Sequence, residues 1–351
     1  MNESATSLDR LGWGPFFQQQ LTLEDLETSL PARVFEVQLT GLTLLHEGGE
    51  SSVSLGGRWF QLEAEQRPTV GDWVLLNHAL DSLQRVLERK SLLKRLAAGS
   101  GNEIQLIGAN VDTMFLVSSC NDEFNLSRME RYLSLAYDAG VQPVIVLTKA
   151  DLCDDSEYYV AEVRRLKNDL VVELVNALDI DSLASVAVWV QPGQTIALLG
   201  SSGVGKSTLL NTLSGVDLQV TKDIREDDSR GRHTTTHRSL HLLSEGGILL
   251  DSPGIRELSL AEAESGVLHM FDDIEALAEA CRFSDCAHES EPDCAVRAAI
   301  VSGDLEERRL SSYRKLASEE LRNTESVAER HSRFRAFSKS IRQHVDKKKR
   351  E

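Results

Sequence analysis

The first part of the chain alternates short apolar runs with turn signals. The runs are Val34–Val37, Ser52–Leu55, Arg58–Leu62 and Asp72–Leu76, and glycines separate them. Runs at this spacing are typical of an all-β domain, so we predict a barrel of about five strands over residues 31–95. The pattern does not separate an oligonucleotide-binding barrel from an SH3-like one. Residues 1–30 are polar and predict an extension, and the glycine-rich stretch 92–102 predicts a linker.

From Ile104 onward the pattern changes to strands that alternate with helices. We predict strands at 111–118, 144–147 and 195–199, a strand pair at 239–243 and 248–250, and helices at 125–140, 158–168 and from 206 onward. This alternation is typical of an α/β sheet, which we place at residues 104–260. Residues 261–351 have a helical pattern, in which Leu310, Tyr313, Leu316 and Ala317 mark one helix face.

Charge and composition narrow the class of protein. The 351 residues carry a net charge of −17, which argues against a protein that coats nucleic acid generally. Between Arg333 and Arg350, however, eight Lys or Arg stand with one acid, which fits either a local phosphate contact or a solvated tail. No apolar run approaches the roughly 18 residues of a membrane span, and the first residues lack the features of a secretory signal. We therefore expect a cytoplasmic protein that binds no membrane.

A glycine-rich motif follows the predicted strand at 195–199. Residues 200–207 match G-x-x-x-x-G-K-[ST] in full, and a helix is predicted from Lys206. Backbone N–H groups of such a loop turn toward phosphates at the positive end of the helix. Lys206 can neutralise the β- and γ-phosphates during catalysis, and Ser207 can ligate Mg²⁺. The predicted nucleotide contacts are Gly200, Ser201, Ser202, Gly203, Val204, Gly205, Lys206, Ser207 and Thr208.

Two downstream segments bear on the choice between ATP and GTP. The strand that ends at Asp251 is similar to the corresponding strand of ABC-transporter ATPases, but Ser252 stands where that class has a catalytic glutamate. Asp251-Ser252-Pro253-Gly254 also fits the D-x-x-G of GTPases, in which the aspartate holds Mg²⁺ through water and the Gly254 N–H senses the γ-phosphate. In the polar loop 222–238 we assign the second Mg²⁺ oxygen to Thr235, with its neighbouring threonines as competitors.

The residues that would read the base come before the phosphate loop. The segment 148–151, T-K-A-D, is similar to the N-K-x-D of GTPases, and the Asp151 carboxylate can accept from guanine N1–H and N2–H₂, a pattern that adenine does not offer. The stem of Lys149 can lie over the ring, and the Ala177 N–H can reach guanine O6. The predicted base contacts are Thr148, Lys149, Ala150, Asp151, Asn176 and Ala177. Because ordinary GTPases have the phosphate loop first, this order predicts a circular permutation.

Three of the five cysteines crowd around a histidine late in the chain. Cys281-x₄-Cys286-x-His288-x₅-Cys294 supplies three sulfurs and one imidazole, the set that fills a tetrahedral structural zinc site. Four protein ligands leave no open position for chemistry. We therefore predict one structural Zn²⁺ that stabilises a small helical module.

Taken in order, these motifs resemble those of the ribosome small-subunit-dependent GTPase A family (RsgA, also called YjeQ). The resemblance covers the β domain, T-K-A-D, the phosphate loop, G-R-H-T-T-T at 231–236, D-S-P-G at 251–254 and the cysteine cluster. It implies an oligonucleotide-binding barrel, a permuted GTPase domain and a zinc domain. It also implies a late role in maturation of the small (30S) ribosomal subunit, with binding to 16S rRNA and stimulation by the subunit. The departures are Thr148, where the family has asparagine, and Asn176 in the second base loop.

Three hypotheses of function are open, and the nature of the catalytic group bears on the choice between them. Ile255 stands where many GTPases have a water-orienting glutamine, so we predict slow hydrolysis with the missing group supplied by His233, by the partner, or by both. The first hypothesis is a GTP hydrolase that uses Mg²⁺ with GTP and GDP and acts as a monomeric assembly factor. The second is a zinc-containing RNA-binding protein whose nucleotide turnover is vestigial. A general ATPase is the third.

Overall fold

The computed structural model describes residues 7–38, 41–96, 104–214, 238–252, 255 and 264–324. The chain folds into two compact units, Met1–Lys94 with Leu106–Leu258, and Arg95–Gln105 with Ser259–Glu351. The domain boundaries that the sequence suggests, at residues 31, 95, 104 and 261, stay predictions. Across the described ranges, no helix has both the length and the apolar character that a bilayer crossing requires.

The strands in the described ranges are β1 Ser29–Val37, β2 Gly41–His46, β3 Gly49–Ser54, β4 Trp73–Asn77, β5 Leu83–Val86, β6 Leu92–Leu96, β7 Ile104–Ala109, β8 Thr113–Ser119, β9 Gln142–Thr148, β10 Val172–Leu174, β11 Thr195–Leu199, β12 Arg238–Leu242 and β13 Ile248–Asp251. The α-helices there are α1 Pro15–Gln18, α2 Leu23–Thr28, α3 Gly57–Phe60, α4 Leu126–Asp138, α5 Ser156–Arg164, α6 Ala184–Ala187, α7 Lys206–Ser214, α8 Glu264–Met270, α9 Asp272–Ala278, α10 Ala295–Ser302 and α11 Glu307–Thr324.

The first five strands form an antiparallel sheet in the order β5-β4-β1-β2-β3. Its inner face packs Val34, Leu44, Val74 and Leu76 against Trp59 in an apolar core. Among the residues that the structure describes, no pairing joins β3 to β5. The predicted oligonucleotide-binding barrel is therefore not confirmed.

Two local predictions in this region are wrong. The run Arg58–Leu62 is not a strand, because its first residues form the helical turn α3, in which Trp59 is buried and Phe60 is exposed. Trp59 alone packs into the core from this single turn, so the apolar residues of the run do not reflect strand alternation. The predicted linker also begins too early, because Leu92–Leu96 is strand β6 and pairs with β7.

Six further strands of the first unit form the predicted α/β sheet in the order β10-β9-β8-β11-β13-β12, while β6 and β7 pair with each other in a separate sheet. The first five of these run parallel, and β12 is antiparallel to β13. Every residue of β8 is buried, as expected for a parallel strand covered on both faces. Helix α4 begins where predicted, because the Asn125 side chain accepts the Arg128 N–H at 2.9 Å, and Gly140 follows the helix with φ +68°.

Strand β1 belongs to both sheets, because it also pairs with β12 through Glu36 opposite Ser239 and Val37 opposite Arg238. The β domain and the α/β sheet therefore share one continuous, eleven-stranded hydrogen-bonded sheet.

A buried arginine fastens the same junction. The guanidinium of Arg33 donates to Leu11 O (2.5 Å), Gly71 O (3.3 Å), Asn110 O (3.1 Å) and Thr195 Oγ1 (2.7 Å). These acceptors lie in the N-terminal segment, the β domain, the connection before β8 and the first residue of β11. Burial lowers the pKa of Arg33 to about 10, and the Asp112 and Asp72 carboxylates oppose that shift. The charge is retained at neutral pH, and the hydrogen bonds compensate for its burial.

Replacement of Arg33 by alanine should destabilise the first unit. Buried carbonyls would lose their donor, and each such loss costs about 1–3 kcal/mol, so we expect the free energy of unfolding to fall by about 2–5 kcal/mol. Urea denaturation at 25 °C measures the difference. The matched control is Arg165→Ala, whose side chain is 67% exposed and which should change stability by less than about 0.5 kcal/mol. Equal midpoints for the two variants would contradict this role.

Candidate functional site

The parallel pairing of three neighbouring strands sets the position of the site. β8 lies between β9 and β11, with Ser119 opposite Thr148 and Leu116 opposite Leu199. The carboxyl ends of parallel strands meet at the same edge of a sheet, where α/β proteins bind ligands. The loops that follow β8, β9 and β11 therefore meet at one edge.

The loop after β11 has the shape of a phosphate cradle. Gly203 and Gly205 have φ of +79° and +96°, which glycine adopts without strain, and α7 begins at the next residue. The ammonium group of Lys206 donates to Gly200 O (2.7 Å) and Ser201 O (2.5 Å). The N–H groups of the first turn of α7, which includes Ser207 and Thr208, have no acceptor within the helix and lie beside a fixed cation, an arrangement that attracts anions.

Thr148 ties the predicted base loop to this phosphate loop. Its hydroxyl is fully buried and lies 2.6 Å from Val204 O and 3.1 Å from Ser118 O. The single hydroxyl proton favours the shorter contact, so the main bond crosses to the phosphate loop. Thr148 stands at the position where N-K-x-D has asparagine, and its hydroxyl links the two loops directly.

The next residues of the base loop reach the same place. Lys149 has φ +59°, an uncommon conformation for a residue with a side chain, and its Nζ donates to Gly203 O at 2.9 Å. Its alkyl stem therefore bridges the base loop and the phosphate loop. Asp151 follows in the short 3₁₀ turn Ala150–Leu152 and is exposed, so its carboxylate is open to a ligand.

Several hydrogen bonds hold the second base loop, including one from the Asn176 N–H to Ser182 Oγ at 2.9 Å. The Asn176 side chain accepts the Leu178 N–H at 3.0 Å, which fixes the turn. The Ala177 carbonyl accepts from Thr212 Oγ1 at 2.7 Å, and Thr212 lies on α7. The structure thus connects the loop at 176–177 to the helix that follows the phosphate loop.

The remaining predicted residues fall into two groups. Asp251 ends β13, which pairs with β11, and its carboxylate lies 3.9 Å from His241 Nε2 on β12. Ile255 is buried. His233, Thr235 and Gly254 lie outside the residues that the structure describes, so their predicted roles stay predictions.

In the second unit, the four predicted metal ligands converge. Their ligand atoms all lie within 4.8 Å of one another. Cys281 Sγ is 3.8 Å from Cys294 Sγ and 3.6 Å from His288 Nδ1, and Cys294 Sγ is 3.4 Å from the same nitrogen. Metal–sulfur bonds of about 2.3 Å give tetrahedral edges of about 3.8 Å, so this arrangement fits one tetrahedral ion.

Groups around the cluster favour metal binding. Cys294 caps α10, and its Sγ accepts the Arg297 N–H, so the sulfur lies at the positive end of the helix. Burial lowers the pKa of His288, and the Arg314 charge acts in the same direction, so the imidazole stays neutral and able to bind a metal. The Glu291 carboxylate accepts the N–H groups of Ala287 (3.0 Å) and Glu289 (2.7 Å), which shapes the loop that carries His288.

Sequence reasoning missed the contacts that support these sites. Arg128 Nη1 donates to Ser201 Oγ on the phosphate loop. Glu291 and Arg314 support the cysteine cluster, and Arg314 donates to Ala287 O at 2.9 Å. A charged residue on a polar stretch carries no sequence signal of such a role, because many surface residues look the same.

Comparison with known proteins identifies the family. A sequence profile of the RsgA GTPase family matches residues 86–261. The chain is 50% identical over 349 residues to the "Small ribosomal subunit biogenesis GTPase RsgA 2" of Vibrio parahaemolyticus. This alignment covers 99% of this chain and 96% of the relative.

The chain belongs to the RsgA GTPase family.

Other members extend the match. "Small ribosomal subunit biogenesis GTPase RsgA" of Mesorhizobium japonicum is 44% identical to this chain over 92% of both proteins. The crystal structure of YjeQ from Thermotoga maritima has a TM-score of 0.61 at 26% identity and covers 84% of this chain and 99% of its own. YloQ, described as a circularly permuted GTPase, has a TM-score of 0.59 at 25% identity and covers 83% of this chain and 94% of its own.

Membership settles the choice of nucleotide and the chain order. This RsgA-family protein is a GTP-hydrolysing enzyme with a circularly permuted fold. The ATPase alternative is therefore wrong, in agreement with Ser252 at the position where ABC-type enzymes need a carboxylate.

The cysteine cluster should bind one metal ion per chain. Cys286→Ala removes one of four ligands, and we expect the bound metal to fall from about one ion per chain to less than about a tenth. Metal content after gel filtration, measured by mass spectrometry, tests this. The control is Cys153→Ala, because Cys153 lies outside the cluster and its loss should leave the metal content unchanged. Retention of the metal by Cys286→Ala would rule out the four-ligand site.

Proposed function

We propose that this GTPase is a late maturation factor of the small ribosomal subunit. It would work as a cytoplasmic monomer that binds 16S rRNA and hydrolyses GTP faster on the subunit than in solution. The observation that carries the proposal is the 50% identity, over 99% of this chain, to a relative named for small ribosomal subunit biogenesis. The proposed domains are an oligonucleotide-binding barrel at 31–95, the GTPase domain at 104–260 and a zinc domain at 261–351.

The nucleotide would bind across the two joined loops. The backbone N–H groups of residues 203–208 would face the phosphates, with Lys206 as the neutralising cation. The Asp151 carboxylate would accept from the guanine N1–H and N2–H₂, and the Lys149 stem would cover one face of the ring. The bond from Thr148 to Val204 O supports this arrangement, because it fixes the distance between the base loop and the phosphate loop.

Magnesium fits the oxygen donors near the phosphates. The Ser207 hydroxyl at the start of α7 and the Asp251 carboxylate at the end of β13 are hard ligands that this ion prefers. When bound with GTP, Mg²⁺ neutralises charge that develops on the β- and γ-phosphates. Ser207 would ligate it directly and Asp251 through water, and Thr235 would add the further oxygen.

Zinc is the metal we assign to the second unit. Three thiolates and one imidazole in a tetrahedral arrangement are the donor set that zinc prefers in structural sites. All four positions are taken by protein side chains, so the ion would hold the fold of the helical module and take no part in hydrolysis. The basic segment 333–350 would add a contact to rRNA phosphates.

Hydrolysis would be slow without the subunit. Ile255 is buried and presents an alkyl group after the D-S-P-G segment, so it cannot orient the attacking water. We assign that task to His233 or to a group of the bound subunit. Ile255 also favours the second candidate, a zinc-containing RNA-binding protein with vestigial turnover. Measured rates of GTP hydrolysis distinguish this candidate from the GTPase.

The role of Asp151 predicts a change in base preference. Asp151→Asn replaces an acceptor-only carboxylate by an amide that cannot accept both guanine protons, and charged hydrogen bonds contribute about 1.5–3 kcal/mol each. We expect GDP affinity to fall at least about tenfold, and xanthosine diphosphate to become the better ligand. Titration with fluorescent nucleotides measures both. Asp154→Asn is the control because Asp154 is an exposed neighbour, and an unchanged guanine preference in Asp151→Asn would remove the base-reading assignment.

The proposed function is tested by single-turnover and steady-state GTP hydrolysis with and without purified 30S subunits. We expect the subunits to raise kcat at least about tenfold, which corresponds to about 1.4 kcal/mol of the barrier. Lys206→Ala should remove turnover under both conditions. If the protein cosediments with subunits but hydrolyses GTP no faster, the vestigial-turnover candidate is favoured. If it neither cosediments nor responds, the ribosomal role is wrong.

A further inference from the structure

An arginine from outside the phosphate loop contacts that loop. Arg128 lies in the first turn of α4, after the loop that follows β8, and its Nη1 donates to Ser201 Oγ. The two residues are 73 positions apart in the chain. They meet because β8 pairs in parallel with β11, the strand that leads into the phosphate loop.

The charge of Arg128 opposes its position in the helix. The first turn of an α-helix carries the positive end of the helix dipole, which disfavours a cation there. The neighbouring Glu123 carboxylate lies 3.8 Å from Nη1, is 56% exposed, and compensates weakly in water. Local helix stability therefore does not account for an arginine at this position, whereas the contact to Ser201 does.

The phosphate loop is held from several sides, and Arg128 supplies one of these contacts. Lys206 holds the carbonyls of residues 200 and 201, Lys149 holds Gly203 O, and Thr148 holds Val204 O. The loop contains glycines and has little conformational preference of its own. Each bond that fixes it before nucleotide arrives reduces the entropy that binding must overcome.

We propose that Arg128 is a positioning residue that holds the phosphate loop in its binding shape through Ser201. The inference rests on the proposed nucleotide site at residues 200–208. Arg128 would act on the affinity for nucleotide and leave the chemical step alone, because its contact is to a loop side chain. Loss of the contact should therefore weaken GDP and GTP to the same extent.

A double-mutant cycle tests the proposal in the full-length protein. The variants are Arg128→Ala, Ser201→Ala and the double variant, measured by fluorescent GDP binding and by GTP turnover. We expect each single change to raise the Kd for GDP and the KM for GTP about three- to tenfold with kcat within twofold of wild type. The double variant should be no weaker than either single variant, because both remove the same contact. Arg165→Ala, just after α5, is the control because the Arg165 side chain is 67% exposed.

Three results would overturn the proposal. If Arg128→Ala binds GDP with wild-type affinity, the contact to Ser201 does not contribute to nucleotide binding. Additive losses in the double variant would show that Arg128 acts independently of Ser201. A fall in kcat at constant KM would place Arg128 in the chemical step. Absence of GTP turnover in the wild-type protein would count against the proposed function instead, and the GDP affinities would still decide the role of Arg128.

Discussion

The candidate site depends on the parallel pairing of β9, β8 and β11. This pairing brings the ends of three strands, which are far apart in the chain, to one edge of the sheet. The buried Thr148 hydroxyl then joins two of the loops by its 2.6 Å bond to Val204 O. A nucleotide that touches both loops needs their separation fixed, because movement between them would add an ordering cost to binding.

The N-terminal β domain is not hinged to this sheet by a free linker. β1 pairs with β12, and Arg33 binds acceptors in four segments of the first unit. β12 begins at Arg238, the last residue of the polar loop in which the sequence predicts Thr235 as a Mg²⁺ ligand. The β domain and the α/β sheet are therefore joined by backbone pairing and by the buried Arg33, and not by the covalent chain alone.

The second unit contains a site that allows a different kind of stabilisation. The distances between the atoms of its cysteine–histidine cluster match the edges of a tetrahedron, and charged or polar groups such as Arg314 and Glu291 hold the loop around them. A metal ion can replace apolar area in a short helical segment, because ligand bonds are made only in the folded state. In the first unit, by contrast, sheet pairing and the hydrogen bonds of Thr148 and Lys149 hold the loops of the candidate site.

The sequence by itself determined the features whose chemistry is local. The phosphate loop, the four metal ligands and the alternation of strands and helices each lie within short spans, so spacing and residue type are sufficient to predict them. The local pattern was not sufficient at Arg58–Leu62, because a helical turn with one buried tryptophan gives the same apolar run in the sequence as a strand. Only the tertiary structure decided the contacts of Arg33, Thr148 and Arg128. Thr148 is 56 positions from Val204, Arg128 is 73 from Ser201, and Arg33 is 162 from Thr195. No residue pattern encodes which of these distant atoms strand pairing will bring together.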